Sequence, residues 1–272
     1  MLGDRACVGL LQRALPLLGL RWEGFRRVRR QVCRRVARRL AELGLDAEGY
    51  RRRLEREPAE REILDRLCRV TISRFYRDRA VFDRLAAEGL PGLAGLARRR
   101  GERELRCWSA GCASGEEPYT LAILFRLAVA PRVPGLGLRI VATDDDEAVL
   151  ARARRGCYAP STLRELPAPW REAAFRAEEG ALCLRPEFRR AVSFRRMDLR
   201  GRMPEGPFHL LLCRNLAFTY FEEALQRAVL SRLQRRLVPG GLLVIGGHER
   251  LPAGAAGFAP AAGRLPIHRN AV

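Results

Sequence analysis

Apolar positions in the first part of the chain recur at the spacing of a helix. Phe25, Val28, Val32, Val36, Leu40 and Leu43 step by three or four residues and so share one helical face. The opposite face is arginine: Arg26, Arg27, Arg29, Arg30, Arg34, Arg35, Arg38 and Arg39. Gly44 falls where a C-terminal cap belongs. A shorter helix is expected over 47–57, and Pro58 opens another through Ile63, Leu64 and Leu67. From residue 104 the pattern changes to short apolar runs, at 105–109, 138–142, 208–213 and 242–245, which read as strands. Helical stretches at 116–130, 146–155 and 221–237 separate them, and such alternation implies a parallel sheet covered on both faces. The expected fold class is α/β, a Rossmann-like sheet preceded by a small all-helical domain. The expected domains are 1–88, basic and helical, and 89–272, with a Gly- and Arg-rich connection at 89–101.

Charge changes this picture more than bulk composition does. The formal net charge is +20, and every one of the 51 basic residues is arginine. Between residues 21 and 56 there are 13 arginines against five acids, so the positive charge concentrates in the helical domain. A positive field of this kind attracts acidic partners, whether nucleic acid, anionic lipid or an acidic protein surface. No apolar run approaches the roughly 20 residues that span a bilayer. Residues 1–20 lack the basic start, unbroken apolar core and small-residue cleavage site of a signal peptide. The expectation is a cytoplasmic protein without membrane insertion. Eight cysteines are scattered without a CxxC pair, and several lie in apolar runs, so they read as reduced thiols rather than a disulfide framework. His209, His248 and His268 lack metal-ligand spacing, and no metal site is expected.

The candidate chemistry gathers at strand ends. Ser109-Ala110-Gly111-Cys112-Ala113-Ser114-Gly115-Glu116-Glu117 stands between an expected strand and an expected helix. Glycines there let the backbone turn sharply and approach a ligand closely. The next strand ends in Thr143-Asp144, where a carboxylate can accept both hydroxyls of a ribose. There is no GxGxxG, so a ligand carrying adenosine without phosphates fits better than a dinucleotide. Arg214-Asn215 follows the 208–213 strand, so all three points lie at carboxyl ends, where open α/β sheets bind ligands. The segment Thr71-Ile72-Ser73-Arg74-Phe75-Tyr76-Arg77-Asp78 mixes hydroxyls, aromatics and a cation at the domain junction; its local reading is a helix start with Ser73 as N-cap.

Taken together, these blocks resemble the CheR family of chemotaxis-type protein-glutamate O-methyltransferases, over residues 22–249. Ser73-Arg74-Phe75-Tyr76-Arg77-Asp78 is similar to the family's T-x-F-F-R-[DE], and the stretch from Trp108 through Gly115-Glu116-Glu117-Pro118-Tyr119 to WSAGCSTGEEPYS. Ala142-Thr143-Asp144-Asp145-Asp146 resembles ATDID, Gly156-Cys157-Tyr158 resembles G-x-Y, and Cys213-Arg214-Asn215 matches CRN. The resemblance implies a class I methyltransferase using S-adenosyl-L-methionine and releasing S-adenosyl-L-homocysteine. It implies a cofactor site of Ser73, Arg77, Ala110, Glu116, Asp144, Asp198, Leu199, Asn215 and Leu216. Arg77 and Tyr220 would act on the substrate, and the basic stretch from Arg26 to Arg39 would face an acidic, chemoreceptor-like protein.

The chain also departs from the family pattern. One extra residue separates Asn215 from Tyr220, and Gly246-Gly247-His248-Glu249 differs from the family's GHSE. Residues 159–194, where relatives carry a β-subdomain that docks a receptor tail, form a short segment without a paired-glycine turn. Methylation of RNA or a small acid on the same fold is an alternative, as is a non-catalytic cofactor-binding module. Nucleic acid is a disfavoured partner, since no RNP or KH pattern is present.

Overall fold

The computed structural model describes residues 3–272; the first two residues of the expected 1–88 domain lie outside the described residues. The chain divides into two units. One runs to Val70 and takes in Leu216–Gln226; the other comprises Thr71–Asn215 and Arg227–Val272. The division falls at Val70 rather than at residue 88, because the segment after it packs into the second unit.

The first unit is helical. Helices Asp4–Ala14, Trp22–Phe25, Arg29–Leu43, Ala47–Arg56 and Pro58–Cys68 bury Leu11, Val32, Val36, Leu40, Tyr50, Leu54 and Leu64. Gly44 caps the long helix in the left-handed conformation, and Asp46 caps the next through its side chain, which accepts from Gly49 N at 2.6 Å. The expected continuous helix from Phe25 is broken at Val28. Arginine is not uniformly solvated here. Arg39 grips the buried Glu60 with a two-pronged contact at 2.9 and 2.8 Å, and Tyr50 donates to the same carboxylate at 3.0 Å. Arg35 donates to the carbonyls of Leu67 and Arg69. Arg27, Arg30, Arg34 and Arg38 remain exposed, at three- and four-residue steps. The returning segment adds helix Ala217–Tyr220, whose Tyr220 ring lies 4.8 Å from that of Phe25.

The second unit carries a seven-stranded sheet. In chain order its strands are β1 (Glu104–Ala110), β2 (Gly137–Asp144), β6 (Val192–Arg196), β7 (Phe208–Cys213), β8 (Leu237–Ile245), β9 (Phe258–Pro260) and β10 (Ile267–Asn270). Their spatial order is β6-β2-β1-β7-β8-β10-β9, parallel through β8 and antiparallel beyond. Every residue of β7 is buried, as a central parallel strand demands. Helices Glu116–Leu124, Glu147–Arg155 and Leu90–Arg99 surround the sheet. The last lies where the sequence suggested a mere connection: Leu90, Leu93, Ala94 and Ala97 form a buried stripe that compositional reading at 89–101 obscured. From β1 the chain winds outward through β2 to β6, then returns to β7 on the other side of β1. That reversal, at the carboxyl ends of β1 and β7, is the kind of topological switch point where open α/β sheets hold ligands.

A second sheet, not expected from the sequence, is formed by β3 (Cys157–Tyr158), β4 (Phe175–Glu178) and β5 (Ala181–Leu184) in the order β3-β5-β4. Glu179 and Gly180, both at positive φ, turn β4 into β5, which is the backbone a tight hairpin needs. The segment is thus long enough to hold a β-subdomain. Cysteine pairing is a second correction. Cys7 joins Cys33 and Cys157 joins Cys183, whereas Cys68, Cys107, Cys112 and Cys213 are buried and outside these disulfides. Each bonded pair is 26 residues apart and meets only because two elements lie side by side, which spacing along the chain does not reveal. Among the described residues no helix is long and apolar enough to cross a membrane.

Candidate active site

At the carboxyl end of β1 the backbone turns through residues 111–115 into helix Glu116–Leu124. Gly111 N and Cys112 N both donate to the Thr143 carbonyl, at 2.8 and 3.0 Å, so the turn is laced to the end of β2. Gly115 sits at φ 91°, and a Cβ there would stand 3.0–3.2 Å from Ala153, Tyr158 and Phe194, so only glycine fits without displacement. Tyr158 donates to the Ser114 carbonyl at 2.7 Å, bracing the turn from the small sheet. Asp144, the last residue of β2, accepts from Ala113 N at 2.9 Å and from Asp146 N at 3.1 Å. Its carboxylate is therefore oriented by backbone N–H groups.

Glu116 opens the helix and is buried. Burial raises its carboxyl above the ordinary range, although its own backbone N–H, the Ser73 hydroxyl and Arg152 pull the other way. Its Oε2 is buried and has no hydrogen-bond partner. An orphaned carboxylate oxygen at the mouth of a ligand turn is an acceptor waiting for a donor.

Ser73 belongs to a loop rather than a helix start; the helix begins at Arg79. Phe75 N donates to the Thr162 carbonyl and Tyr76 N to Thr120 Oγ1, both at 3.0 Å, while both rings are buried. Arg77 NH1 donates to the Ile72 carbonyl at 3.0 Å, leaving other N–H donors of the guanidinium free to turn outward. Tyr76 and Asp78 hold positive φ, an uncommon state for such residues that concentrates at functional sites.

Beyond β7, Asn215 is at φ 54°, and its N–H donates to Glu249 Oε2 at 2.8 Å, as does Gly246 N at 2.6 Å. A Cβ on Gly246 would come within 2.5 Å of the Asn215 amide, so the approach of these two segments requires glycine. Met197 N donates to the Asp144 carbonyl at 3.0 Å, which brings Asp198 and Leu199 beside the end of β2. Leu199 is buried; the Asp198 carboxylate accepts from Arg200 N and Nε at 2.8 and 3.0 Å. Ser73, Ala110, Glu116, Asp144, Asp198, Leu199 and Asn215 all lie in the second unit, at or beside the carboxyl ends of its strands, as does the Arg77 loop. Leu216 and Tyr220 belong to the first unit. Glu117 and Glu249 were absent from the expected site and Arg214 entered it only as the neighbour of Asn215; the sequence blocks that contain all three were the signal available.

A family model described as CheR methyltransferase, SAM binding domain, matches residues 71–263. The chain belongs to the CheR methyltransferase family. A chemotaxis protein methyltransferase of Listeria innocua is 37% identical over 185 residues, 68% of this chain and 67% of that protein. Chemotaxis protein methyltransferase 2 of Pseudomonas aeruginosa is 35% identical over 228 residues, covering 80% of this chain and 77% of its own length. The chemotaxis protein methyltransferase of Salmonella typhimurium is 34% identical over 230 residues, 81% and 76% of the two chains. This CheR-family chain is a methyltransferase, and S-adenosyl-L-methionine is its cofactor.

The residues present fit that cofactor. It carries an ammonium and a sulfonium, and the unpartnered Glu116 oxygen is an acceptor for a cation. A test follows from the direction of the Glu116 shift. Its folded carboxyl binds a proton more tightly than in the unfolded chain, so without cofactor stability falls as pH rises from the usual value, about 4.3, to the raised one. At neutral pH the carboxylate is then a net cost to the fold. Glu116→Gln is expected to raise the Tm of the ligand-free protein and to weaken S-adenosyl-L-homocysteine binding about tenfold. Scanning calorimetry and titration check both; a lower Tm with undiminished affinity removes this carboxylate from the site.

Proposed function

We propose that the chain methylates glutamate side chains of an acidic, chemoreceptor-type protein in the cytoplasm, leaving a methyl ester and S-adenosyl-L-homocysteine. The reading rests on one arrangement above all. The loop bearing Ser73 and Arg77 is fastened to the start of the helix that carries Glu116, so a guanidinium stands on the same support as the cofactor turn.

When bound, the cofactor supplies an electrophilic methyl group on a sulfonium sulfur. Asp144 would hold the ribose hydroxyls, Glu116 and Ser73 the methionine end, and Leu199 and Asn215 would border the rest, with Asp198 beside the adenine. A glutamate side chain titrates near 4.3 and is already a nucleophile at neutral pH, so no general base is needed. Arg77 would orient that carboxylate by charge-assisted hydrogen bonds. Alignment and removal of water from the carboxylate then supply the rate.

For the partner, the exposed stripe of Arg27, Arg30, Arg34 and Arg38 suits an acidic helical surface. The decisive experiment incubates the protein with methyl-labelled cofactor and a purified chemoreceptor signalling fragment, alongside RNA and small carboxylic acids. Label is expected in protein and released by mild base as methanol. Label in RNA or in a small acid instead overturns the proposal.

A further inference from the structure

Arg214 follows β7 and its side chain is almost wholly enclosed, 3% exposed. One NH2 donates to both the Arg77 carbonyl and Asp78 Oδ2, each at 2.7 Å. NH1 donates to Glu117 Oε2 at 3.0 Å, and the other oxygen of Glu117 accepts from Ser109 Oγ at 2.7 Å. The guanidinium lies over the Phe82 ring at 5.1 Å, and its Nε is buried without a partner. Burial alone would raise the Asp78 carboxyl; the Arg214 guanidinium outweighs it and holds the group below its usual range.

The network around this cation joins four separate segments. Asp78 and Arg77 end the substrate-side loop, Glu117 sits in the first turn of the cofactor helix, Ser109, which bonds Glu117, is in β1, and Arg214 itself follows β7. Of the five non-glycine residues at positive φ among the described residues, three adjoin Arg77 or Arg214 in the chain: Tyr76, Asp78 and Asn215. Each such conformation costs on the order of 1–3 kcal/mol and persists only where surroundings impose it. Buried ion networks seldom add stability over an apolar core of the same shape, and this one leaves Nε orphaned; what it provides is fixed geometry.

We propose that Arg214 is a positioning residue for methyl transfer, clamping the backbone at Arg77 and Asp78 to Glu117 so that the Arg77 side chain departs from a fixed point above the cofactor turn. The proposal rests on the assignment of Arg77 to the substrate carboxylate. Arg214 itself touches neither substrate nor cofactor in this scheme. Lysine in its place keeps the charge but has no planar fork to reach Arg77, Asp78 and Glu117 together.

The test uses the full chain with Arg214→Gln, Arg214→Lys and Glu117→Gln, studied well below their melting temperatures. Arg214→Gln is expected to lower kcat about 100-fold while S-adenosyl-L-homocysteine affinity stays within about threefold, with Arg214→Lys intermediate. Amides of residues 72–78 are expected to exchange faster in Arg214→Gln, and the double variant with Arg77→Ala to be no slower than Arg77→Ala alone. A purely structural role lowers Tm but leaves kcat per cofactor-binding site unchanged, and a rate effect independent of Arg77 multiplies with that of Arg77→Ala. That result, or unchanged exchange through 72–78, overturns the proposal. If Arg214→Gln does not fold, Arg214→Lys and Glu117→Gln carry the same comparison. A wild-type chain that esterifies no protein carboxylate sinks the functional reading instead, and amide exchange still judges the clamp.

Discussion

Arg77→Ala is expected to lower ester formation on a protein substrate about 100-fold, with S-adenosyl-L-homocysteine binding nearly intact. The guanidinium is partly exposed and anchored through NH1 to the Ile72 carbonyl, which leaves donors for an incoming carboxylate. A charge-assisted hydrogen bond contributes about 1.5–3 kcal/mol, and each 1.4 kcal/mol is a factor of ten. Loss of a two-pronged grip on the nucleophile, with the misalignment that follows, reaches two decades. Arg77→Lys is expected to recover only part, because an ammonium is not a planar fork. Initial rates with labelled cofactor and equilibrium binding on the same preparations decide it. Equal losses in binding and rate would move Arg77 from the substrate to the cofactor.

Asp144→Ala is expected to reduce cofactor affinity at least 100-fold. The substitution removes the acceptor proposed for two ribose hydroxyls and also frees Ala113 N and Asp146 N, which now donate to this carboxylate. Asp144→Asn separates the two effects. Its amide oxygen can still accept from Ala113 N and keep the turn in place, while its NH2 cannot accept from a hydroxyl. An asparagine variant nearly as weak as the alanine one assigns the loss to the ligand rather than to the turn.

The sequence made the centre of the second unit legible because central parallel strands are continuous apolar runs. β7 was read with its observed limits, and β1, β2 and β8 within a few residues. The candidate ligand segments stand out in the sequence for the same reason: they follow those strands directly, at Ala110–Gly115, Asp144 and Asn215. What escaped is what long-range contact creates. β6 sits at the sheet edge with Arg195 and Arg196 exposed, so it lacks an apolar run. β9 and β10 follow Gly- and Ala-rich turns and gain their order by pairing, β10 with β8 and β9 with β10. Glu60 in its arginine grip looked like one more surface acid. Arg214 looked like a neighbour of Asn215, although its partners lie 136 and 97 residues away in the chain.

Direct titration of the purified chain with S-adenosyl-L-homocysteine tests the central claim, that the turn after β1 and the Asp144 carboxylate together hold an adenosine-bearing methyl donor. Calorimetry is predicted to give a saturable single-site heat for the wild type that disappears in Asp144→Ala while the variant stays folded. No heat from the folded wild type with either cofactor or product, or equal affinity in Asp144→Ala, would contradict it.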